Sequence, residues 1–181
     1  ECLNGMKLLD ASRANDNTLL LTFEAIHDGR LTLDTLVPVS EHAYHMGGSQ
    51  IWLEPGEQFT LDDMLKAICI SSANDAAVAL AEYVAGTRNT FVDMMNERVK
   101  QMGCINTVFT DVHGVGSGSQ YTTARDMVRI MMEATDNERM FDLLSTQKYE
   151  VPATNLSDAR KFASQNYLME TTIVPKYNYK Y

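Results

Sequence analysis

Hydrophobic residues along this chain recur mostly at helical spacing, and the clearest pattern lies near its middle. Leu65 and Ile68 mark the apolar face of one predicted helix, and a second predicted helix covers residues 75–85. The polar segment between the two helices contains Ser72 and Asn74. Because buried polar groups need hydrogen-bond partners, a hydroxyl and a carboxamide placed there offer donors and acceptors to a ligand that arrives from outside. The alternative is that Ser72 or Asn74 only caps the second helix, since both residue types favour the N-cap position.

A further helix is predicted over residues 18–28, with Asp16 or Asn17 as its cap and Gly29 as its end. Large apolar side chains cover most of its surface, so we expect it to be largely buried.

Capping residues predict where three other helices begin. Thr60 and Asp63 form a capping pair at the start of the helix that carries Leu65. An amphipathic helix is predicted over residues 87–102, and another should follow Thr122 or Thr123.

Strands are predicted on both sides of this helical region. The Asn-Gly turn at positions 4 and 5 predicts a hairpin over residues 1–10. Alternation of apolar and polar residues predicts a strand over residues 31–39, and residues 147–151 predict another. Pro55 and Gly56 mark a turn between the first of these strands and the central helices.

Composition narrows the function classes. A chain of 181 residues fits one domain with a real core, and its formal charge of -9 argues against binding to nucleic acid. No apolar run approaches membrane-spanning length. The three cysteines have no metal-type spacing, and we expect Cys69 to be a small buried hydrophobe.

Two other patterns have ordinary explanations. Glu41, His42 and His45 have a spacing that can seat a metal ion, but no further ligand cluster accompanies them, and the glycines that follow end any helix there. Methionines at helical spacing are expected to fill the core, Met95 and Met132 among them. The carboxylates are scattered, and no pair suggests glycoside hydrolysis.

The segment around Ser72 reads L-D-D-M-L-K-A-I-C-I-S-S-A-N-D-A-A-V-A-L-A-E-Y-V-A-G. It resembles the second active-site segment of the penicillin-binding serine D-alanyl-D-alanine carboxypeptidases. The resemblance continues upstream through H-M-G-G-S-Q-I-W-L-E-P-G and downstream through N-T-V-F-T-D-V-H-G-V and Y-T-T-A-R-D-M. It covers most of residues 31–160 in the order of the family.

This resemblance implies an α+β, β-lactamase/transpeptidase-like fold, in which a helical lobe lies beside an antiparallel sheet. We expect residues 1–181 to form a single incomplete catalytic domain of this kind. The helical lobe would comprise about residues 40–145, and residues 1–39 and 146–181 would supply the elements on the side of the sheet. We expect part of that sheet to be absent from this chain, which would leave the helix over residues 18–28 with too little to pack against.

Enzymes of this family resemble the class A β-lactamases in using Ser-x-x-Lys, Ser-x-Asn and Lys-Thr-Gly elements. Ser72 and Asn74 match the second element, with Ala73 where the family often has glycine. The resemblance implies that Ser72 relays a proton between the lysine and the departing D-alanine. It also implies that Asn74 holds the peptide carbonyl of the substrate. His113 matches a loop that borders the active-site groove, where it either contacts substrate or fixes a tight turn. No cofactor is implied.

The other two elements are not found in their expected places. Thr18 resembles the residue just after Ser-x-x-Lys, yet about a dozen residues expected before it are not found in this sequence. The chain stops at Y-N-Y-K-Y, about where the Lys-Thr-Gly strand should begin. A Ser-x-x-Lys match at residues 145–148 is judged accidental, because its surroundings predict an extended segment. We therefore expect the sequence to be part of a longer protein, and an intact mass equal to that of these 181 residues would contradict this.

Three functional hypotheses follow from the resemblance. The first is a serine carboxypeptidase outside the cytoplasmic membrane that removes the terminal D-alanine from peptidoglycan stem pentapeptides, with β-lactams as covalent inhibitors. Its export signal would have been removed, and the C-terminal membrane tether common in the family would lie outside these residues. The second is a non-catalytic penicillin-binding fold that recognises cell-wall peptide or a partner protein. A class A-type β-lactamase is the weakest, because no segment resembles the loop that carries its deacylating base.

Overall fold

The computed structural model describes residues 14–114 and 119–164. Two small sheets and seven helices are formed by these residues. In chain order the elements are α1 Ala14–His27, β1 Leu36–Pro38, α2 Glu41–Tyr44, β2 Gln58–Thr60, α3 Leu61–Ser71, α4 Asn74–Ala85, α5 Arg88–Gln101, α6 Ala124–Thr135, α7 Glu138–Leu144, β3 Lys148–Val151 and β4 Arg160–Ala163. The hairpin predicted over residues 1–10 lies outside the described residues.

Helix α4 lies at the centre of the core. It packs against α1, α2, α3, α5 and β1. Every residue from 74 to 81 is buried, and Ala76, Ala77 and Val78 have no exposed surface. Small side chains allow several helices to approach α4 closely, so the start of α4 has a fixed position relative to its neighbours.

Helix α1 differs from its prediction in two respects. It spans Ala14–His27 and does not begin at residue 18, so Asn17 and Thr18 lie fully buried inside the helix and the expected cap at Asp16 or Asn17 is wrong. The expectation that this helix has too little to pack against is also wrong. Leu19 is 1% exposed, and α1 packs against α3, α4, α5 and α6. Among the described residues, four helices therefore contact α1.

Both sheets have two antiparallel strands. β1 pairs with β2, with Val37 opposite Phe59, and β3 pairs with β4, with Tyr149 opposite Phe162. The strand predicted over residues 31–39 is shorter than expected, because Thr32 and Thr35 close a turn before it. The mixture of helices and small antiparallel sheets agrees with the predicted α+β class.

Most predicted helix caps are confirmed. The Thr60 side chain accepts a hydrogen bond from the Asp63 N–H at 3.1 Å, and the Thr123 side chain accepts one from the Asp126 N–H at 3.2 Å. Gly103 follows α5 with φ 73°, a left-handed conformation that glycine adopts without strain. These local signals therefore fixed the starts of α3 and α6 and the end of α5.

Residues 145–148 run from a turn into β3 and not along a helix. Lys148 therefore does not lie one helical turn beyond Ser145, as a Ser-x-x-Lys element requires. Of the methionines expected in the core, Met95 is fully buried but Met132 is 65% exposed, so that prediction is wrong for Met132. Cys69 is half-buried against the core. Among the described residues no helix is long and apolar enough to cross a membrane.

Candidate active site

The junction between α3 and α4 is a sharp break in the backbone at Ser72. This residue follows the last residue of α3 and adopts a left-handed conformation with φ 53° and ψ 40°. For a residue with a side chain this conformation costs about 1–2 kcal/mol. Ser72 is exposed although it lies between two buried helices. Strain of this kind, kept at an exposed polar residue, is typical of functional sites.

Asn74 is the first residue of α4 and is 3% exposed. Its Nδ2 donates to the carbonyl oxygen of Gly47 at 2.8 Å, and its backbone N–H donates to the carbonyl oxygen of Ser49 at 2.8 Å. A carboxamide nitrogen carries two hydrogens, so the bond to Gly47 uses one of them. Asn74 therefore fastens the segment around Gly47 to the start of α4.

Neither Ser72 nor Asn74 caps α4. The N-cap position is Ala73, which makes no side-chain capping bond, and Asn74 lies inside the helix. The capping interpretation of Ser72 and Asn74 is therefore wrong. Ser72 is exposed, whereas Asn74, two residues further along the chain, is almost buried.

Asp75 has a positioning role that the sequence analysis did not assign. Its carboxylate is 1% exposed and accepts backbone hydrogen bonds from Ile51 at 3.1 Å, Leu53 at 3.2 Å and Ala76 at 2.9 Å. Burial raises the pKa of Asp75, and the backbone hydrogen bonds oppose this rise without cancelling it. The sequence signal for this role was the position of Asp75, an acidic residue at the start of a mostly apolar helical segment.

His113 lies in a turn over residues 111–114 and is 6% exposed. The turn is fixed by Asp111, whose Oδ1 accepts from the N–H of His113 at 3.1 Å and from the N–H of Gly114 at 2.7 Å. The His113 Nδ1 lies 3.5 Å from the same oxygen. Burial lowers the pKa of His113, while the Asp111 carboxylate opposes this effect. The net direction favours a neutral imidazole, which can both donate and accept a hydrogen bond.

The turn that carries His113 is attached to α1. Thr18 Oγ1 donates to the carbonyl oxygen of Val112 at 3.0 Å. The bonds of Asn74, in contrast, run to Gly47 and Ser49. Different segments therefore position His113 and the Ser72–Asn74 pair.

The histidines of α2 form pairs and not a metal site. His42 Nδ1 lies 2.7 Å from Glu82 Oε1, and His45 Nε2 lies 3.9 Å from Glu41 Oε2. Within residues 14–114 and 119–164, no three histidine, cysteine, aspartate or glutamate side chains lie close enough to hold a metal ion.

Comparison with known proteins assigns a family. A family model described as D-alanyl-D-alanine carboxypeptidase matches residues 10–175. D-alanyl-D-alanine carboxypeptidase DacF of Bacillus subtilis (strain 168) is 41% identical over 140 residues, which cover 77% of this chain and 36% of the relative. D-alanyl-D-alanine carboxypeptidase DacC of Escherichia coli (strain K12) is 37% identical over 127 residues, which cover 67% of this chain and 32% of the relative. The chain thus spans about a third of the length of these curated relatives.

Solved structures agree with this assignment. Penicillin binding protein 5 from Haemophilus influenzae matches with a TM-score of 0.82 and 28% identity, covering 93% of this chain and 48% of that one. D-alanyl-D-alanine carboxypeptidase DacD from Francisella tularensis matches with a TM-score of 0.78 and 31% identity, covering 85% of this chain and 38% of that one. The predicted β-lactamase/transpeptidase-like fold class is confirmed.

Proposed function

The chain belongs to the D-alanyl-D-alanine carboxypeptidase family, and from this membership we propose that it is part of a serine-type enzyme of the bacterial cell wall. The enzyme removes the terminal D-alanine from peptidoglycan stem pentapeptides. An active-site serine forms an ester with the penultimate D-alanine while the peptide bond to the last D-alanine breaks. Water then hydrolyses the ester. The acylated serine belongs to a Ser-x-x-Lys element that we do not assign to any described residue.

In this proposal Ser72 passes a proton to the amine of the departing D-alanine. The observation that carries this role is its exposed position at a strained break between α3 and α4. A hydroxyl suits the task because it donates and accepts hydrogen bonds at the same time.

Asn74 is proposed to hold the peptide carbonyl of the substrate through its side-chain amide. One of the two amide hydrogens is used by Gly47 at 2.8 Å, so the second one is the donor available to the substrate. His113 is proposed to border the groove as a neutral imidazole and to contact substrate there. This agrees with the direction in which burial shifts its pKa.

The proposal extends to domain organisation and location. Residues 1–181 form one incomplete catalytic domain, with a helical lobe over about residues 40–145 and sheet-side elements over residues 1–39 and 146–181. The enzyme acts outside the cytoplasmic membrane, where peptidoglycan is exposed. β-Lactams acylate the same serine because they resemble D-alanyl-D-alanine.

Labelling of the full-length protein with a fluorescent penicillin tests this function. We expect a covalent adduct, and we expect release of D-alanine from a synthetic peptide that ends in D-Ala-D-Ala. A folded full-length protein that forms no adduct would contradict the proposal and support a non-catalytic binding protein. Rapid turnover of nitrocefin would contradict it in favour of a β-lactamase.

A further inference from the structure

Trp52 is an exposed aromatic residue in a strained backbone conformation. It is the single tryptophan of the chain, its exposed fraction is 76%, and its φ is 59°. The left-handed region is unfavourable for a bulky side chain. An exposed apolar side chain and a left-handed backbone each cost free energy, and Trp52 has both. This combination indicates that the indole has a function.

Hydrogen bonds on both sides hold the Trp52 backbone in place. The buried Asp75 carboxylate accepts from the N–H groups of Ile51 and Leu53, at 3.1 Å and 3.2 Å. The Trp52 carbonyl oxygen accepts from Arg160 Nη2 at 3.2 Å. Ile51 and Leu53 are 4% and 1% exposed, so both neighbours of Trp52 are anchored in the core. The indole is therefore held on the outside of the protein.

Trp52 forms one wall of a pocket of about 390 Å³. Tyr44, 41% exposed, and His45 also line it, and their ring centroids lie 4.9 Å apart with the planes tilted by 58°. Gln50 and Glu54 add an amide and a carboxylate. Aromatic faces beside hydrogen-bonding side chains suit a sugar ring, which has an apolar C–H face and a rim of hydroxyl and amide groups.

The pocket lies next to the proposed catalytic residues. Leu53 is hydrogen-bonded to Asp75, and Asp75 directly follows Asn74 in α4. A fully extended stem pentapeptide spans at most about 17 Å. For a substrate whose D-alanine end lies at Ser72, this length is the outer limit of the distance to a sugar site, and the proposal requires the pocket to lie within it.

We propose that the pocket lined by Tyr44, Gln50 and Trp52 binds an uncharged N-acetylhexosamine unit of the peptidoglycan glycan strand. This inference rests on the proposed function and deepens it, because it makes the strand-attached peptide, and not the free peptide, the preferred substrate. The sugar stacks on the indole, and Gln50 and Glu54 bond its polar rim.

A difference measurement makes the pocket accessible to fluorescence. We expect a tetrasaccharide of β-1,4-linked N-acetylglucosamine to shift the indole emission of the full-length protein to shorter wavelength in a saturable manner, and we expect this shift to be lost in Trp52→Phe. By calorimetry, Trp52→Ala should bind the tetrasaccharide about tenfold more weakly, and Trp52→Phe should keep part of the affinity. Tyr83→Ala is the matched control, because Tyr83 is 40% exposed on α4 and does not line this pocket, and it should bind like the wild type.

Penicillin labelling of the same samples separates this inference from the proposed function. Normal labelling without any response to the tetrasaccharide would overturn the sugar site alone. Saccharide binding without labelling would overturn the carboxypeptidase function. The bound sugar could then no longer be interpreted as part of the substrate. If Trp52→Phe loses only short-wavelength emission before saccharide is added, the rest of the protein or a second copy already covers Trp52, and this would overturn the site. Equal unfolding midpoints of wild type and Trp52→Ala exclude misfolding as the cause of weaker binding.

Discussion

Asp75 connects the two parts of the proposed site at the scale of single residues. Its buried carboxylate bonds the backbone on either side of Trp52, and it directly follows Asn74 in α4. Because burial raises its pKa, Asp75 itself destabilises the fold slightly as pH rises above the ordinary aspartate range. Asp75 therefore contributes to the protein by fixing the backbone geometry and not through its charge.

Replacement of Asp75 by alanine should be strongly destabilising. Three backbone N–H groups would lose their acceptor, and two of them belong to the buried residues Ile51 and Leu53. We expect the free energy of unfolding in urea to fall by about 3 kcal/mol. Asp93→Ala, on the exposed face of α5, is the matched control and should change it by less than about 0.5 kcal/mol. Equal stability of Asp75→Ala and Asp93→Ala would contradict this role.

The sequence named candidate site residues but said little about their surroundings. The resemblance of the segment around Ser72 to the family was what selected Ser72 and Asn74 as candidates. The bond from Asn74 to Gly47 could not be predicted, because it joins residues 27 positions apart. The left-handed conformation of Ser72 was not predicted, because this position after a helix is usually occupied by glycine. The turn at His113 was noticed, but the role of Asp111, two residues earlier, in fixing it was not.

At the scale of elements, α1 shows what hydrophobic periodicity can and cannot predict. Its apolar residues predicted a buried helix correctly, but Asp16 and Asn17, the two predicted caps, lie inside the helix, which spans Ala14–His27. Its packing partners could not be predicted, since α3 to α6 are distant in sequence and make their contacts only in the folded chain. The same limit applies to β2 and β4, which are too short to give a clear alternating pattern.

Leu19→Ala tests the packing of α1. Leu19 is 1% exposed in the core, so its truncation leaves a cavity among the helices that cover α1. We expect a loss of about 3 kcal/mol in the free energy of unfolding. Ile105→Ala removes a similar side chain that is 85% exposed and should have little effect. A small effect of Leu19→Ala would mean that α1 is not packed as described.

Glu57 links the turn before β2 to the strand β4. It is fully buried and bonds Thr154 and Arg160, with Arg160 Nη2 at 3.0 Å. Burial alone would raise its pKa, but the hydrogen bonds from Arg160, Thr154 and the Glu54 N–H outweigh burial and lower it. A lowered pKa adds stability above the pKa of the unfolded chain, and this stability is lost as pH falls through the folded pKa.

Glu57→Gln should therefore change the pH dependence of stability. At pH 7 we expect the variant to be less stable than the wild type by about 2 kcal/mol, because charge-assisted bonds become neutral ones. The difference should narrow as pH falls from the ordinary glutamate range through the lowered pKa of Glu57, because the wild-type carboxylate becomes protonated there. Urea unfolding at several pH values measures both effects. Glu54→Gln, at an exposed neighbour, should follow the wild type, and a constant difference for Glu57→Gln at all pH values would contradict the account.

For the whole molecule, the order of its motifs was more informative than any single pattern. The resemblance over most of residues 31–160 predicted a family that the matched region, residues 10–175, confirms. The expectation that α1 has too little to pack against was wrong, because α1 packs against α3, α4, α5 and α6. Since the chain spans about a third of its curated relatives, the activity is best measured on the full-length protein.

The rate of D-alanine release by the Ser72→Ala variant tests the central claim most directly. If Ser72 moves the proton to the departing D-alanine, kcat/KM of the full-length enzyme should fall by about 10²–10⁴-fold. Ser71→Ala, one residue earlier in the last turn of α3, is the matched control and should retain nearly full activity. Both variants should unfold at the same urea concentration as the wild type. A Ser72→Ala enzyme within about threefold of the wild type would remove this hydroxyl from the reaction and contradict the proposed site.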